Sequence, residues 1–420
     1  MRSAAKKPWP IVAMLCATAT AGYICRVNVS TAGPLLMKEF GLSQIEMGRI
    51  FSAFLLGYAL FQIPSGAIAD RIGSRRILSF VAWFWVIITV LQTIVGWGPF
   101  QTTAGIAIAA FMLFRFLLGI SASPTYPGSA QGVSRWVMPQ FQARANGIVI
   151  ASIGLGSALS PLIVSNIMVK LGWRPALIAS AIPALIVALI WIKVKEPPHI
   201  NHLVSGRDEA KSDSSPGKAD KINSMSFWLL TISYTLQGYV GYIFVSWFYI
   251  YLVQERHFGL LSGAWMSSLP WILSILSIPL GGLISDRLTA GRSGLVWGRR
   301  IVPLAGMALS GILISIGAHT GSAVMAAISL AIATALILCV EGPFWAMMMR
   351  IAGNKSGIAG GIMNMGSNIG GLISPALTPV IASLIGWENA LHVAAGLAVI
   401  GALLWLGIKP ENSQSPLKGG

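Results

Sequence analysis

The chain has 420 residues and a formal net charge of +16, yet only 10% of its residues are charged and 55% are hydrophobic. Soluble domains carry about 25% charged residues, so at a mean hydropathy of +0.73 water cannot be the main solvent for this surface. That excludes a soluble enzyme or a basic nucleic-acid-binding domain. The lack of an apolar-polar alternation also argues against a membrane barrel.

Apolar runs of the roughly 20 residues needed to cross a bilayer as helix begin near residues 10, 45, 77, 104, 143, 174, 224, 261, 300, 322, 356 and 387. The expected architecture is therefore an all-α membrane protein of about twelve spans. The first run is not read as a cleavable signal, because it is long, carries Arg26 and Asn28, and is followed by further spans. With an even number of spans and both termini cytoplasmic, Arg71, Arg75, Arg76, Arg135, Arg144, Arg287, Arg299, Arg300 and Lys409 fall on the inner side. Lys38, Arg49, Lys170, Arg174 and Arg256 fall on the outer side. The excess of cations inside sets the orientation in a cell inner membrane.

In the first span, "GYICRVNVS" (Gly22 to Ser30) places an arginine deep in the bilayer. A charge there costs at least about 2.5 kcal/mol on insertion scales. Arg26 must face a cavity or a partner, and its planar fork suits a carboxylate, sulfonate or phosphate. An internal ion pair or a snorkelling helix end is the alternative. After the second span comes "GAIADRIGSRR", Gly66 to Arg76. Gly66 is expected to permit a close helix approach. Asp70 can accept from a neighbouring helix N-terminus or arginine, as a latch on the cytoplasmic side. Topological charge alone is the plainer reading of this loop.

The segment 195–223 is polar and Ser-Pro-Gly-rich, and it reads as a flexible linker. Its His199 and His202 are expected to be solvated. The linker separates an N-terminal six-helix bundle, 1–194, from a C-terminal one, 224–420. The halves resemble each other. "GLISDR" (Gly282 to Arg287) follows the eighth span as "GAIADR" follows the second, so Asp286 and Arg287 mirror Asp70 and Arg71. Gly147, Gly156, Ser160, Pro161 and Gly172-Trp173 match Gly361, Gly370, Ser374, Pro375 and Gly386-Trp387 at one register offset. That is the mark of a parallel repeat, in which cargo binds near mid-membrane and rocking gives alternating access.

In the tenth span, "CVEGPFWAMMMR" embeds one acid, Glu341, beside the helix-interrupting Gly342-Pro343. A carboxyl there is a candidate proton carrier; a static ion pair with Arg26 or Arg115, or a cation site, is the alternative. Proline-rich stretches at Pro124, Pro127, Pro343 and Pro375 predict kinks. Phe344, Trp345 and Tyr126 are possible apolar walls of a cavity. In the eleventh span Asn364 and Asn368 lie at i and i+4, on one helix face, either lining a site or joining helices. Cys16, Cys25 and Cys339 fall within spans and suggest neither disulfides nor a metal site.

The Gly66–Arg76 loop closely resembles the cytoplasmic signature of the major facilitator superfamily. The first-span pattern of Tyr23, Arg26, Asn28 and Ser30 resembles the anion:cation symporter family within it. That family includes sugar-acid transporters, sialin and vesicular glutamate transporters. "RFLLGISASPTYP" in the fourth span, "GWRPAL" at the sixth and "GGIMNMGSNIGGLISP" in the eleventh extend the likeness over nearly the whole chain. The resemblance implies uptake of a small organic anion, usually with protons, and no cofactor. It implies Arg26 as the substrate-anion arginine and Tyr23 and Tyr58 as lining residues. Gln62 is a polar neighbour, and Asn364 and Asn368 face the site from the second half. Two departures stand out. Proton-coupled members carry an acid just before the first-span arginine, where this chain has Cys25, and another in the fourth span, where it has Ala122. Cys25, with an ordinary pKa of about 8.5, is a poor substitute. Coupling would then move to Glu341, alternating between a protonated state and pairing with Arg26 or Arg115. An uncoupled or exchange-type anion facilitator competes with this reading. A drug exporter ranks lower, because "GLGSALSPLI" lacks the exporter's Gly-Pro motif. A receptor or an enzyme ranks lower still. The expected partners are an organic anion, a proton or another cation and the lipid bilayer, with the protein a monomer.

Overall fold

With no water to satisfy backbone groups in the bilayer interior, a lipid-exposed chain is driven into helix. The computed structural model describes residues 9–97, 103–194, 224–291 and 294–409, and among these there is no strand. The linker 195–223, with His199 and His202, lies outside the described residues. The helices are α1 (Trp9–Phe40), α2 (Gln44–Ile72), α3 (Ser74–Leu91), α4 (Ala104–Ala122), α5 (Thr125–Trp136), α6 (Pro139–Leu171) and α7 (Trp173–Lys193). There follow α8 (Ser224–Ser246), α9 (Phe248–Gln254), α10 (Leu260–Ala290), α11 (Gly294–His319), α12 (Ala323–Cys339), α13 (Glu341–Ala352) and α14 (Ser356–Leu404).

Among the described residues ten stretches are long and apolar enough to cross a membrane, and the α8–α9 pair, bent by 51°, makes an eleventh. Within α14 the apolar stretch Ile358–Leu404 runs 47 residues, about twice one crossing. It breaks at Gly386, where φ is 84° and ψ 159°. Counting it as two spans gives the twelve expected. Two other spans are interrupted as the prolines predicted, between α4 and α5 at Ser123-Pro124 and between α12 and α13 at Val340.

Two units emerge from the packing: Met1–Ala32 with Leu56–Asp220, and Gly33–Leu55 with Lys221–Gly420. In the first, α1 is pinned from several sides. A Cβ on Gly156 of α6 would sit 2.4 Å from the Thr20 carbonyl oxygen and 2.9 Å from Tyr23 Cβ. The hydroxyl of Ser160 donates to the Ile24 carbonyl at 3.0 Å, and Asn28 Nδ2 donates to Ser180 Oγ at 2.9 Å. Trp191, fully buried, donates to Thr18 Oγ1 at 2.9 Å.

The second unit repeats this device. A Cβ on Gly370 would sit 2.1 Å from the Thr235 carbonyl oxygen of α8. Gly156 and Gly370 hold the same register in the repeat, and each brings its helix onto the first helix of its half. Gly172 and Gly386 match likewise, both at φ 84°. The Gly33–Leu55 segment is tied to α14. Ser52 Oγ donates to the Leu372 carbonyl at 2.8 Å, and Trp387 Nε1 donates to Gln44 Oε1 at 3.0 Å. Pro379 has no N–H to offer the Pro375 carbonyl four residues back. Trp247 Nε1 donates to that carbonyl instead, at 3.0 Å. Gly66 departs from expectation: among the described residues nothing lies within 4 Å of where its Cβ would stand.

Candidate functional site

The first polar cluster belongs to the first unit and centres on Arg26, half-buried in α1. Its Nη1 donates to Tyr23 Oη, one turn away, at 3.1 Å. The guanidinium carbon lies 5.0 Å from the centroid of the Tyr23 ring and 5.7 Å from that of the buried Tyr58. Aromatic faces stabilise a cation by up to about 2 kcal/mol when water is excluded. They leave the planar N–H edge as the hydrogen-bonding surface for an anion. Arg115, 4% exposed on α4, donates from Nη2 to the Arg26 carbonyl at 2.8 Å. It therefore fixes the backbone from which Arg26 projects and places a second guanidinium close by. Cys25 is buried, with its thiol 3.7 Å from the Ser180 carbonyl.

The second cluster belongs to the second unit. The break at Val340 makes Glu341 the first residue of α13, where the partial positive charge of a helix N-terminus favours an anion. Tyr234 Oη on α8 donates to Glu341 Oε2 at 2.8 Å. Gln237, one turn along α8 and buried, donates from Nε2 to Glu341 Oε1 at 3.1 Å and to the Ile337 carbonyl at 3.2 Å. Within its own unit the carboxyl is thus held by neutral donors. The Tyr234 ring packs against Phe344 at 4.9 Å and Trp345 at 6.5 Å between centroids.

The remaining predicted residues are distributed as follows. Gln62 is half-buried on α2, and Tyr126 is 39% exposed near the start of α5. On α14, Asn368 is buried and Asn364 half-buried. The side chain of Asp70 lies outside the described residues, and Arg71 is exposed. Asp286 accepts from Arg299 Nη1 of α11 at 2.5 Å, and Arg287 is exposed. Sequence reasoning missed Tyr234 and Gln237. Their only signal was two polar side chains one helical turn apart in an apolar span.

Comparison with known proteins fits this geometry. The Major Facilitator Superfamily model matches residues 14–365. The architecture and the match define a multi-pass membrane transporter, not an enzyme. The chain belongs to the major facilitator superfamily. It is 28% identical to the probable sulfoacetate transporter SauU of Cupriavidus necator, over 98% of this chain and 96% of that one. It is likewise 28% identical to the hexuronate transporter of Bacillus subtilis, over 95% and 94%, and to the probable galactarate/D-glucarate transporter GudP of the same organism, over 94% and 90%. Among solved structures, a bacterial homologue of the lysosomal transporter Spinster, inward-facing, aligns with a TM-score of 0.77 at 18% identity, over 96% of each chain. The inward-open xylose transporter XylE from E. coli aligns with a TM-score of 0.76 at 16% identity, over 97% of each.

Proposed function

We propose that this transporter imports a small organic anion, a sugar acid or a related carboxylate, across the cell inner membrane by alternating access in symport with protons. The observation that carries the reading is Arg26: a guanidinium within a span, stacked by Tyr23 and Tyr58 and anchored through its own carbonyl by Arg115. Holding a charge there is costly, and recognition of a carboxylate or sulfonate is a function that offsets the cost. Relatives named for sulfoacetate, hexuronate and galactarate/D-glucarate transport handle cargo of that chemistry. Gln62, Tyr126, Trp345, Asn364 and Asn368 are assigned to cargo binding. Asp70, Arg71, Asp286 and Arg287 are assigned to cytoplasmic gating. Glu341 is assigned the proton. Both termini face the cytoplasm, and 1–194 and 224–420 are the two transport bundles.

A second reading, anion exchange without protons, is favoured by Cys25 and Ala122 standing where coupled relatives are expected to have acids. One experiment decides. Purified protein in proteoliposomes is given a panel of organic anions with and without an imposed pH gradient. Arg26→Ala is expected to abolish uptake of every anion. Glu341→Gln is expected to retain exchange and lose accumulation driven by the gradient. Wild-type uptake indifferent to the gradient would establish the exchanger. Full uptake by Arg26→Ala would remove the anion site.

A further inference from the structure

A carboxyl that shuttles a proton needs donors around it when ionised and at least one acceptor when neutral. Two side chains hydrogen-bond Glu341, Gln237 and Tyr234, and they differ in what they can do. The Gln237 amide is held in one orientation, because its Nε2 also donates to the Ile337 carbonyl, which only accepts. Its nitrogen must therefore face Glu341 Oε1 as well, and Oε1 stays an acceptor. The Tyr234 hydroxyl alone can do both. Its ring is clamped by Phe344 and Trp345 and buried, so the movement left to it is rotation of the hydroxyl hydrogen about the C–O bond. The other titratable side chain at the break, Cys339, faces elsewhere: its Sγ lies 3.3 Å from where a Cβ on Gly306 would stand.

We propose that Tyr234 is the positioning residue that lets Glu341 change protonation state, turning from donor to acceptor as Oε2 takes the proton. This rests on the coupling role given to Glu341 above. In the step, hydronium transfers a proton to Oε2 and leaves water. The Tyr234 hydrogen rotates away, and its oxygen accepts from the new O–H. Oε1 keeps its bond from Gln237 throughout. Release returns the proton to water and the hydroxyl to its donating position, and no other bond changes.

The test is Tyr234→Phe, which deletes one oxygen and keeps the ring packing. It is reconstituted in proteoliposomes beside wild type and Glu341→Gln, with glucuronate, glucarate and sulfoacetate as probes. Exchange, gradient-driven accumulation and acidification of the lumen on anion entry are recorded. Tyr234→Phe is expected to exchange within twofold of wild type, to accumulate at least tenfold less, and to show no lumenal acidification. If it accumulates and acidifies like wild type while Glu341→Gln does not, Tyr234 has no part in the proton step and the Glu341 reading stands. If Glu341→Gln also behaves as wild type, the carrier reading falls and this inference with it. If Tyr234→Phe loses exchange along with accumulation, the hydroxyl serves cargo binding or folding, and the proposal is overturned.

Discussion

A guanidinium that gives up water inside a span must find other donors of stability, and at Arg26 these include two aromatic faces and one hydroxyl. That arrangement fixes what a substitution should do. Arg26→Lys keeps the charge but loses the flat, two-pronged edge. Its uptake is expected to persist with a KM about tenfold higher, roughly 1.4 kcal/mol of binding, read from initial rates against anion concentration. Tyr58→Leu keeps apolar bulk but removes one stacking face, and a KM raised about threefold is expected, in line with a contact of order 1 kcal/mol. Arg26 was legible in the sequence because a charge within an apolar span is expensive and so demands a reason. Glu341 was legible on the same ground, but its partners were not. Tyr234 and Gln237 are neutral, cost little in a span, and stand 107 and 104 positions away from the acid they hold. No spacing rule spans such separations. Opposite charges are the pairing a sequence suggests by default, whereas here a helix N-terminus and two neutral donors hold the carboxyl within its own unit.

At the level of the helix, close approach governs what is tolerated. Replacing glycine by alanine in a helix ordinarily gains about 1 kcal/mol of propensity. At Gly156 and Gly370 the new methyl would run into a backbone carbonyl, and backbone cannot step aside as a flexible side chain can. Gly156→Ala and Gly370→Ala are expected to lose about 1–3 kcal/mol, seen as a lower Tm in detergent. Gly147→Ala, with open space around it, is expected to hold or raise Tm. Trp247→Phe strips the Pro375 carbonyl of its donor. A buried acceptor left without a partner costs about 1–3 kcal/mol, and the same thermal assay reads it. The repeat let Gly156 and Gly370 be matched by register. That the shared position serves close packing emerges only with the partner helix in place. The same motif logic did not carry to Gly66, where small size in a signature loop suggests contact and the described residues leave room around the Cβ position. The breaks near Pro124 and Pro343 were foreseeable, since proline has no N–H to continue the ladder of a helix interior, although α14 runs on through Pro375 and Pro379.

For the molecule as a whole, the solvent it must live in was the most readable property. Few charges and long apolar runs leave helices as the one way to satisfy the backbone, and twelve of them follow from length. The lopsided distribution of arginine and lysine carries the proposed orientation, with both termini cytoplasmic. A single cysteine placed at Lys409, in a background with Cys16, Cys25 and Cys339 replaced, is expected to react with a membrane-impermeant maleimide in inverted vesicles and not in intact cells. The membership of Gly33–Leu55 in the second unit was not readable, because it rests on contacts such as Ser52 with Leu372 that no periodicity encodes. The paired turns at Gly172 and Gly386 carry a consequence for motion. With a lone residue between the arms of each hairpin there is no slack to absorb sliding. Each pair must swing as one lever, and reporters attached to either arm should trace the same displacement through the cycle.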